Sequence, residues 1–140
     1  MIDQRTAPYA ALVLRLALGT MFIAHALLKV AVFTLPGTVK FFESLGLPGP
    51  LAYATFVAEL VGGALLIAGV ATRPVAALLI PVLLGATWAH AGNGWLFSAQ
   101  GGGWEYPAFL AAATLVQALL GAGAHSLGAA AAPRHNLAAA

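Results

Sequence analysis

Four long apolar stretches dominate this sequence and limit what it can fold into. They run over Tyr9–Phe33, Leu51–Ala71, Pro74–Ala91 and Glu105–Gly123. Crossing the hydrocarbon of a bilayer takes roughly 20 residues at about 1.5 Å of helical rise each. All four stretches are close to that length. The pattern predicts an all-α fold, an integral membrane four-helix bundle.

Composition excludes a soluble domain. Of the 140 residues, 61% are hydrophobic and only 7% are charged, whereas a soluble domain carries about 25% charged residues. Polar groups could not cover such a chain, so its solvent must be lipid. The six Lys and Arg residues are spread singly and form no basic patch, so no nucleic acid partner is expected. The chain has no cysteine, which excludes disulfides, thiol catalysis and iron–sulfur ligation.

The segments between the apolar stretches predict the topology. GVATRP at 69–74 is a tight connection, so the second and third helices should form an antiparallel hairpin. GTVKFFESL at 37–45 is a short amphipathic segment between helices one and two, and we expect it to lie along the membrane surface. We predict one four-helix transmembrane domain over residues 1–126 and a flexible C-terminal tail over residues 127–140.

Positive charge in the short loops predicts the orientation. Arg5, Arg73 and Arg134 lie on the side of the two termini, and Lys40 lies on the other side. We therefore expect a multi-pass protein of the inner (plasma) membrane with both termini in the cytoplasm. Arg15 interrupts the first apolar stretch, which favours a retained helix over a cleaved signal peptide.

Ionisable residues within the predicted helices indicate a polar site. At about 100° per residue, Arg15, His25 and Lys29 fall within an arc of roughly 80° on helix one. Facing hydrocarbon would cost each group several kcal/mol, so this stripe should face protein. Glu59 lies roughly 12 Å from the outer end of helix two by helical rise, and His25 lies at the same depth in helix one. The glycines at 62–63 share the face of Glu59 and predict a close helix approach there.

Further polar residues are predicted at the same level of the bundle. His90 ends helix three, and Glu105 and Tyr106 begin helix four. Arg15 lies nearer the other end, on the stripe of helix one. The candidate catalytic residues are His25, Lys29 and Glu59. The candidate cofactor-binding residues are Arg15, His25, Lys29, Glu59, His90, Glu105 and Tyr106.

The same residues carry a resemblance to a known family. It rests on LRLALGTMFIAHALLKV, on FFESLGLPGPLAYATFVAELVGGALLIAGVATRPVAALL, and on WAH and WEYPAFL. Together these segments resemble the DoxX family of small four-helix membrane proteins, over nearly the whole chain up to residues 126–127. The chain departs from the family at HALLK, where many members have Gly after the His and Gln before the Lys. The resemblance implies the four-helix membrane fold. The family is named for a subunit linked to a thiosulfate:quinone oxidoreductase, and other members resemble partners of oxidative-stress and metal-handling systems.

A quinone is the cofactor that these residue types suggest. A quinone head needs hydrogen-bond donors at its carbonyl oxygens and a proton acceptor nearby. His25, Lys29 and Tyr106 can donate, whereas Glu59 and His90 can move protons. The hypothesis is a membrane subunit of an oxidoreductase system that binds a quinone in the outer half of the bundle. Without cysteine, a flavin motif or a metal cluster, such a subunit would be catalytic only with a redox partner protein.

Three alternatives stay open. Arg15, Lys29 and Glu59 could form an intramembrane ion pair that fixes the helix register without any ligand. The protein could be a non-enzymatic membrane anchor or assembly factor for a partner protein. It could also handle a metal ion through His25, His90 and Glu59, although neither haem nor a metal is predicted. Membrane lipid and a second copy of the chain are further candidate partners.

Overall fold

The computed structural model describes residues 3–130. Its long helices are α1 (Ala7–Ala31), α3 (Leu51–Ala68), α4 (Thr72–His90) and α5 (Glu105–Leu120), and its shorter ones are α2 (Leu35–Ser44) and α6 (Leu127–Ala130). A single 3-10 turn, Ala91–Asn93, follows α4. The described residues contain no strand. The predictions of an all-α bundle and of a short helical segment between its first two long helices are confirmed.

The chain folds back on itself at each connection, so the four long helices alternate in direction. α1 packs mainly on α3, and α4 packs mainly on α5. The start of α1 lies beside the segment after α5, because the N–H of Ala124 donates to the carbonyl of Pro8 at 2.9 Å. We call this the terminal end of the bundle; it also holds the α3–α4 turn at residues 69–71. The opposite, loop end holds α2 and the connection at 91–104.

A glycine turn makes the α3–α4 hairpin possible. Gly69 has a φ of +71°, the left-handed conformation that glycine adopts at little steric cost. The N–H of Gly69 donates to the carbonyl of Leu66, and the N–H of Val70 donates to the carbonyl of Leu65, both at 3.0 Å. This capping pattern ends α3 and turns the chain within three residues. The antiparallel arrangement of α3 and α4 is as predicted.

Glycines also set the close approach of α1 and α3. A Cβ added at Gly63 would lie 2.8 Å from the carbonyl oxygen of Gly19, and a Cβ added at Gly19 would lie 2.7 Å from that of Gly63. Side chains at either position would push the helices apart. The core around this contact is apolar, and its buried residues are Leu18, Phe22, Leu66, Ala76, Leu79, Leu83, Leu110 and Ala111.

The outside of the bundle is apolar, as expected of a membrane protein. Val13, Val61, Leu78 and Leu119 are at least half exposed on α1, α3, α4 and α5. Three helical segments of the described residues are long and apolar enough to cross a membrane, namely 7–31, 51–68 and 72–93. α5 is also apolar but has 16 residues, a length of about 24 Å. It ends before the predicted boundary because Gly121 leaves the helical conformation with a φ of +85°.

The first residues of the predicted tail contact the bundle. α6 lies against the α3–α4 turn, where the N–H of Gly128 donates to the carbonyl of Gly69 at 3.2 Å. Residues 131–140, including Arg134, lie outside the described residues. The domain boundary at 126 and the flexibility of the tail therefore stay predictions.

Candidate functional site

An ion pair joins α1 to α3 at the loop end. The Nζ atom of Lys29 lies 2.5 Å from Oε2 of Glu59. The side chain of Lys29 is 17% exposed and that of Glu59 is 9% exposed. Lys29 belongs to the last turn of α1, where a positive charge also interacts favourably with the helix dipole. Both charges are thereby satisfied within a largely apolar bundle.

One turn before Lys29, His25 contacts α5. Its Nδ1 lies 2.8 Å from the carbonyl oxygen of Met21. Because a carbonyl only accepts, Nδ1 is the donor in this contact, and within residues 3–130 Nε2 has no described hydrogen bond. The His25 ring stacks on Tyr106, with ring centroids 5.9 Å apart and ring planes 24° apart. The imidazole therefore has a fixed orientation and one uncommitted nitrogen.

Glu105 organises the loop that precedes α5. Its Oε1 accepts from the backbone N–H of Phe97 at 2.9 Å, and its own N–H donates to the carbonyl of Trp95 at 3.1 Å. Trp95 and Trp104 meet edge to face, with ring centroids 4.5 Å apart. The carboxylate also lies in the first turn of α5, where the helix dipole favours negative charge. Glu105 thus holds an aromatic loop against the start of the helix.

An open groove of about 460 Å³ lies between this loop and α5. Most of its lining is apolar, and Glu105 and Tyr106 are among the residues that line it. The residues that line the groove are Trp95, Phe97, Glu105, Tyr106, Ala108 and Phe109. Tyr106 is the residue that links the groove to His25. An aromatic, largely apolar groove with a few polar groups is the usual composition of a small-molecule site.

His90 lies against the loop at 91–104 and not within a group of metal-ligating side chains. Its Nδ1 lies 2.8 Å from the carbonyl oxygen of Ala86, and a Cβ added at Gly102 would lie 3.3 Å from its Cδ2. Within residues 3–130, no three His, Cys, Asp or Glu side chains are grouped so that they could hold a metal ion. His25, His90 and Glu59, the residues of the metal alternative, are therefore not gathered as ligands.

Arg15 lies away from the other candidate residues. It precedes His25 by ten residues, about 15 Å of helical rise, and it belongs to the terminal end. Its Nη2 donates to the carbonyls of Ala124 and His125, both at 3.2 Å, and the residue is 1% exposed. The structure thus pairs Lys29 with Glu59 and His25 with Tyr106, and it separates Arg15 from both pairs.

Sequence reasoning did not identify the groove itself. Trp95 and Phe97 have no periodic pattern, because the loop at 91–104 and one bond from Glu105 position them, and nothing in the position of Phe109 on α5 indicates that this loop lies beside it. Buried polar residues at the terminal end were also missed. Gln117 is fully buried, and its Nε2 donates to the carbonyl of Gly121 at 2.6 Å. An amide within the apolar stretch of α5 was the available signal for it.

The chain is similar in sequence to a known protein family and to a named bacterial protein. The model of the DoxX family matches residues 10–92, more than half of the chain. A protein of Bacillus subtilis (strain 168), named "Putative oxidoreductase CatD", is 43% identical over 75 residues, which are 54% of this chain and 54% of that protein. The match thus spans about half the length of this relative. No solved structure matches the chain. The family match includes Lys29, Glu59 and His25 and ends before Tyr106.

Proposed function

This chain belongs to the DoxX family, and we propose that it is a quinone-binding membrane subunit of an oxidoreductase system. The observation that carries the proposal is the His25–Tyr106 stack, which joins the aromatic groove to the end of α1 that bears the Lys29–Glu59 pair. The name of the Bacillus subtilis relative supports the oxidoreductase part. We place the protein in the plasma membrane with both termini cytoplasmic, on the charge distribution of its loops.

The groove fits the shape and polarity of a quinone head. Its walls are the aromatic side chains of Trp95, Phe97 and Phe109, which can stack on a planar ring or pack against its edge. The hydroxyl of Tyr106 is the donor for one carbonyl oxygen of the ring. The apolar exterior of the helices can accommodate an isoprenoid tail. A quinone bound there would supply two-electron redox chemistry with uptake or release of protons.

The chain's own side chains can deliver and accept those protons. His25 is fixed through Nδ1, so its Nε2 can accept a proton and later donate it. Lys29 lies one turn farther along α1 and holds the carboxylate of Glu59. Through this pair a proton can pass between ammonium and carboxylate without leaving a lone charge in the apolar bundle. In this arrangement Tyr106 orients the ligand and His25 moves the proton.

We propose that the electrons come from another protein. The chain has no cysteine, and within residues 3–130 no group of side chains forms a metal centre. We therefore propose a redox partner that docks at the loop end, next to the groove. The protein would be one component of the enzyme system.

The first test is the quinone content of the gently purified full chain, measured by chromatography of an organic extract. The wild type is compared with a His25→Ala/Glu59→Gln double variant. The matched control is His125→Asn/Glu43→Gln, which changes the same residue types outside the site; Asn tolerates the left-handed φ of +50° at position 125.

Near-stoichiometric quinone in the wild type and the control, with loss in a double variant that keeps the wild-type circular dichroism spectrum, supports the proposal. Wild-type quinone at the level of empty detergent micelles would refute quinone binding. Equal quinone in the two double variants would refute the assignment of His25 and Glu59 to the site.

A membrane anchor for a partner protein is the second candidate function. The observation that favours it is the exposed tip of the loop, where Trp95, Leu96 and Phe97 are each more than half exposed. In that case the Lys29–Glu59 pair would be structural only. Replacing both charges would leave recruitment of the partner unchanged, whereas Leu96→Ser and Phe97→Ser would abolish it.

A further inference from the structure

A second polar cluster lies at the terminal end, on the opposite side of the bundle from the quinone groove. The α3–α4 turn, the start of α4 and the segments after α5 surround a groove of about 290 Å³. The lining residues that matter here are Gly69, Thr72, Arg73, Gly121 and Gly128. None of them has a part in the proposed quinone site.

The start of α4 brings the backbone N–H groups of Thr72 and Arg73 to this groove, whereas Pro74, the third residue of the helix, has none. The first N–H groups of a helix have no acceptor within the helix, and the residue before α4, Ala71, has no side chain that could cap them. Thr72 is 3% exposed, and its Oγ1 has no hydrogen-bond partner among the described residues. A helix N-terminus with an unsatisfied, buried hydroxyl is suited to an anion.

Arg73 adds a positive charge to the same groove. Its side chain lies over Gly121, where an added Cβ would be 3.0 Å from Nε and 3.5 Å from Nη2. Within residues 3–130 the Arg73 side chain forms no hydrogen bond. It forms no ion pair there either, because the described ion pair joins Lys29 to Glu59. Its guanidinium is therefore free to bind a ligand.

Arg15 lies directly beneath the groove. Its Nη1 contacts Gly69 so closely that any side chain there would collide with it. Two of its nitrogens, Nε and Nη1, are buried and have no partner in the described part of the chain. The described acidic residue at this end, Asp3, accepts from the N–H of Arg5 through Oδ1. Arg15 and Arg73 therefore make the surroundings of the groove positively charged.

We propose that this groove binds the phosphate group of an anionic membrane lipid. Arg73 and the backbone N–H groups at the start of α4 contact the phosphate, and the dipole of the buried Thr72 hydroxyl and the buried charge of Arg15 add to the attraction. The groove lies where the long helices end, which is the depth of lipid headgroups. Leu120 and Leu127 flank it as exposed apolar side chains, against which an acyl chain can pack. The cytoplasmic leaflet is rich in anionic lipid, and each nearby arginine contributes about 1 kcal/mol to its binding.

The test is a lipid titration of the delipidated full chain in detergent, followed by native mass spectrometry. The probes are phosphatidylglycerol and diacylglycerol, which share acyl chains and differ in the phosphate. Arg73→Gln and Thr72→Val are the test variants, and Arg5→Gln is the control with the same loss of charge at the same end. Arg73 is exposed, so its replacement should leave the melting temperature unchanged.

We expect phosphatidylglycerol to bind in preference to diacylglycerol. Arg73→Gln should weaken its binding roughly fivefold, Thr72→Val should also weaken it, and Arg5→Gln should not. Equal affinities in the wild type and Arg73→Gln would overturn the proposal. Displacement of the lipid by millimolar inorganic phosphate would also overturn it, because the site would then select free phosphate. Since neither variant touches the quinone groove, quinone content should stay constant, and failure of one proposal leaves the other unaffected.

Discussion

Removing one partner of the Lys29–Glu59 pair should destabilise the bundle far more than replacing both. Nζ and Oε2 are 2.5 Å apart, and the two side chains are 17% and 9% exposed. Breaking a buried pair costs about 3–5 kcal/mol, whereas an exposed pair contributes about 0–1 kcal/mol. Because Lys29 is partly exposed, we expect each single change, Lys29→Met or Glu59→Gln, to cost about 2–4 kcal/mol.

The two single variants should not be equal. Lys29 lies in the last turn of α1, and an unpaired lysine can extend its long side chain toward the membrane surface. Glu59 lies in the interior of α3 with a short side chain and cannot reach water in that way. Lys29→Met, which leaves Glu59 alone, should therefore be the more destabilising change. The Lys29→Met/Glu59→Gln double variant removes both charges and should recover at least 1 kcal/mol relative to the sum of the single effects.

The assay is unfolding of the four proteins in one detergent, followed by circular dichroism. Lys40→Met, which removes an exposed lysine on α2, is the control and should change the stability by less than about 0.5 kcal/mol. The pair does not join α1 to α3 if both single variants are as stable as Lys40→Met. The same conclusion follows if the losses of stability in the two single variants simply add in the double variant.

Three further predictions concern packing, the loop and the ligand. Gly63→Ala places a Cβ 2.8 Å from a backbone oxygen of α1 and should cost about 1–3 kcal/mol, whereas Gly85→Ala meets nothing within 4 Å and should stabilise by about 0.5–1 kcal/mol; equal melting temperatures would contradict the close approach. Glu105→Gln replaces a charged acceptor by a neutral one, so the N–H of Phe97 should exchange with deuterium faster, and an unchanged rate would show that the bond is not formed. Tyr106→Phe keeps the ring stack and removes the hydroxyl, so quinone affinity should fall roughly fivefold with unchanged stability; an unchanged affinity would exclude that hydroxyl as a donor.

The positions of the helices and of the ion pair could be predicted from the sequence. Counting helical rise from the outer ends placed His25 and Lys29 near the depth of Glu59, and in the structure Lys29 is the residue that pairs with Glu59. The predicted C-terminal ends of two helices were less accurate. α3 stops at Ala68 and α5 at Leu120, since Gly69 and Gly121 adopt positive φ values that an apolar pattern does not indicate.

The groove and the surroundings of Arg15 could not be predicted, for a shared reason. The loop conformation depends on bonds between side chains and distant backbone, such as those from Asn93 to the carbonyls of Gly101 and Gly102. Arg15 is likewise bound by the carbonyl of Ala124, more than 100 residues later in the chain. Contacts of this kind leave no periodic signal in the sequence. Helical periodicity could therefore place Arg15 on one face of α1 but could not identify the groups that it binds.

Photolabelling with an azidoquinone tests the central claim most directly. The full chain is irradiated with the probe, digested, and mapped by mass spectrometry, with and without excess unlabelled quinone. We expect the label to lie within residues 95–109, to be removed by unlabelled quinone, and to be weakened by Tyr106→Phe. Label spread along the lipid-facing surfaces of α1 and α3, and not removed by competing quinone, would contradict a quinone site in this groove.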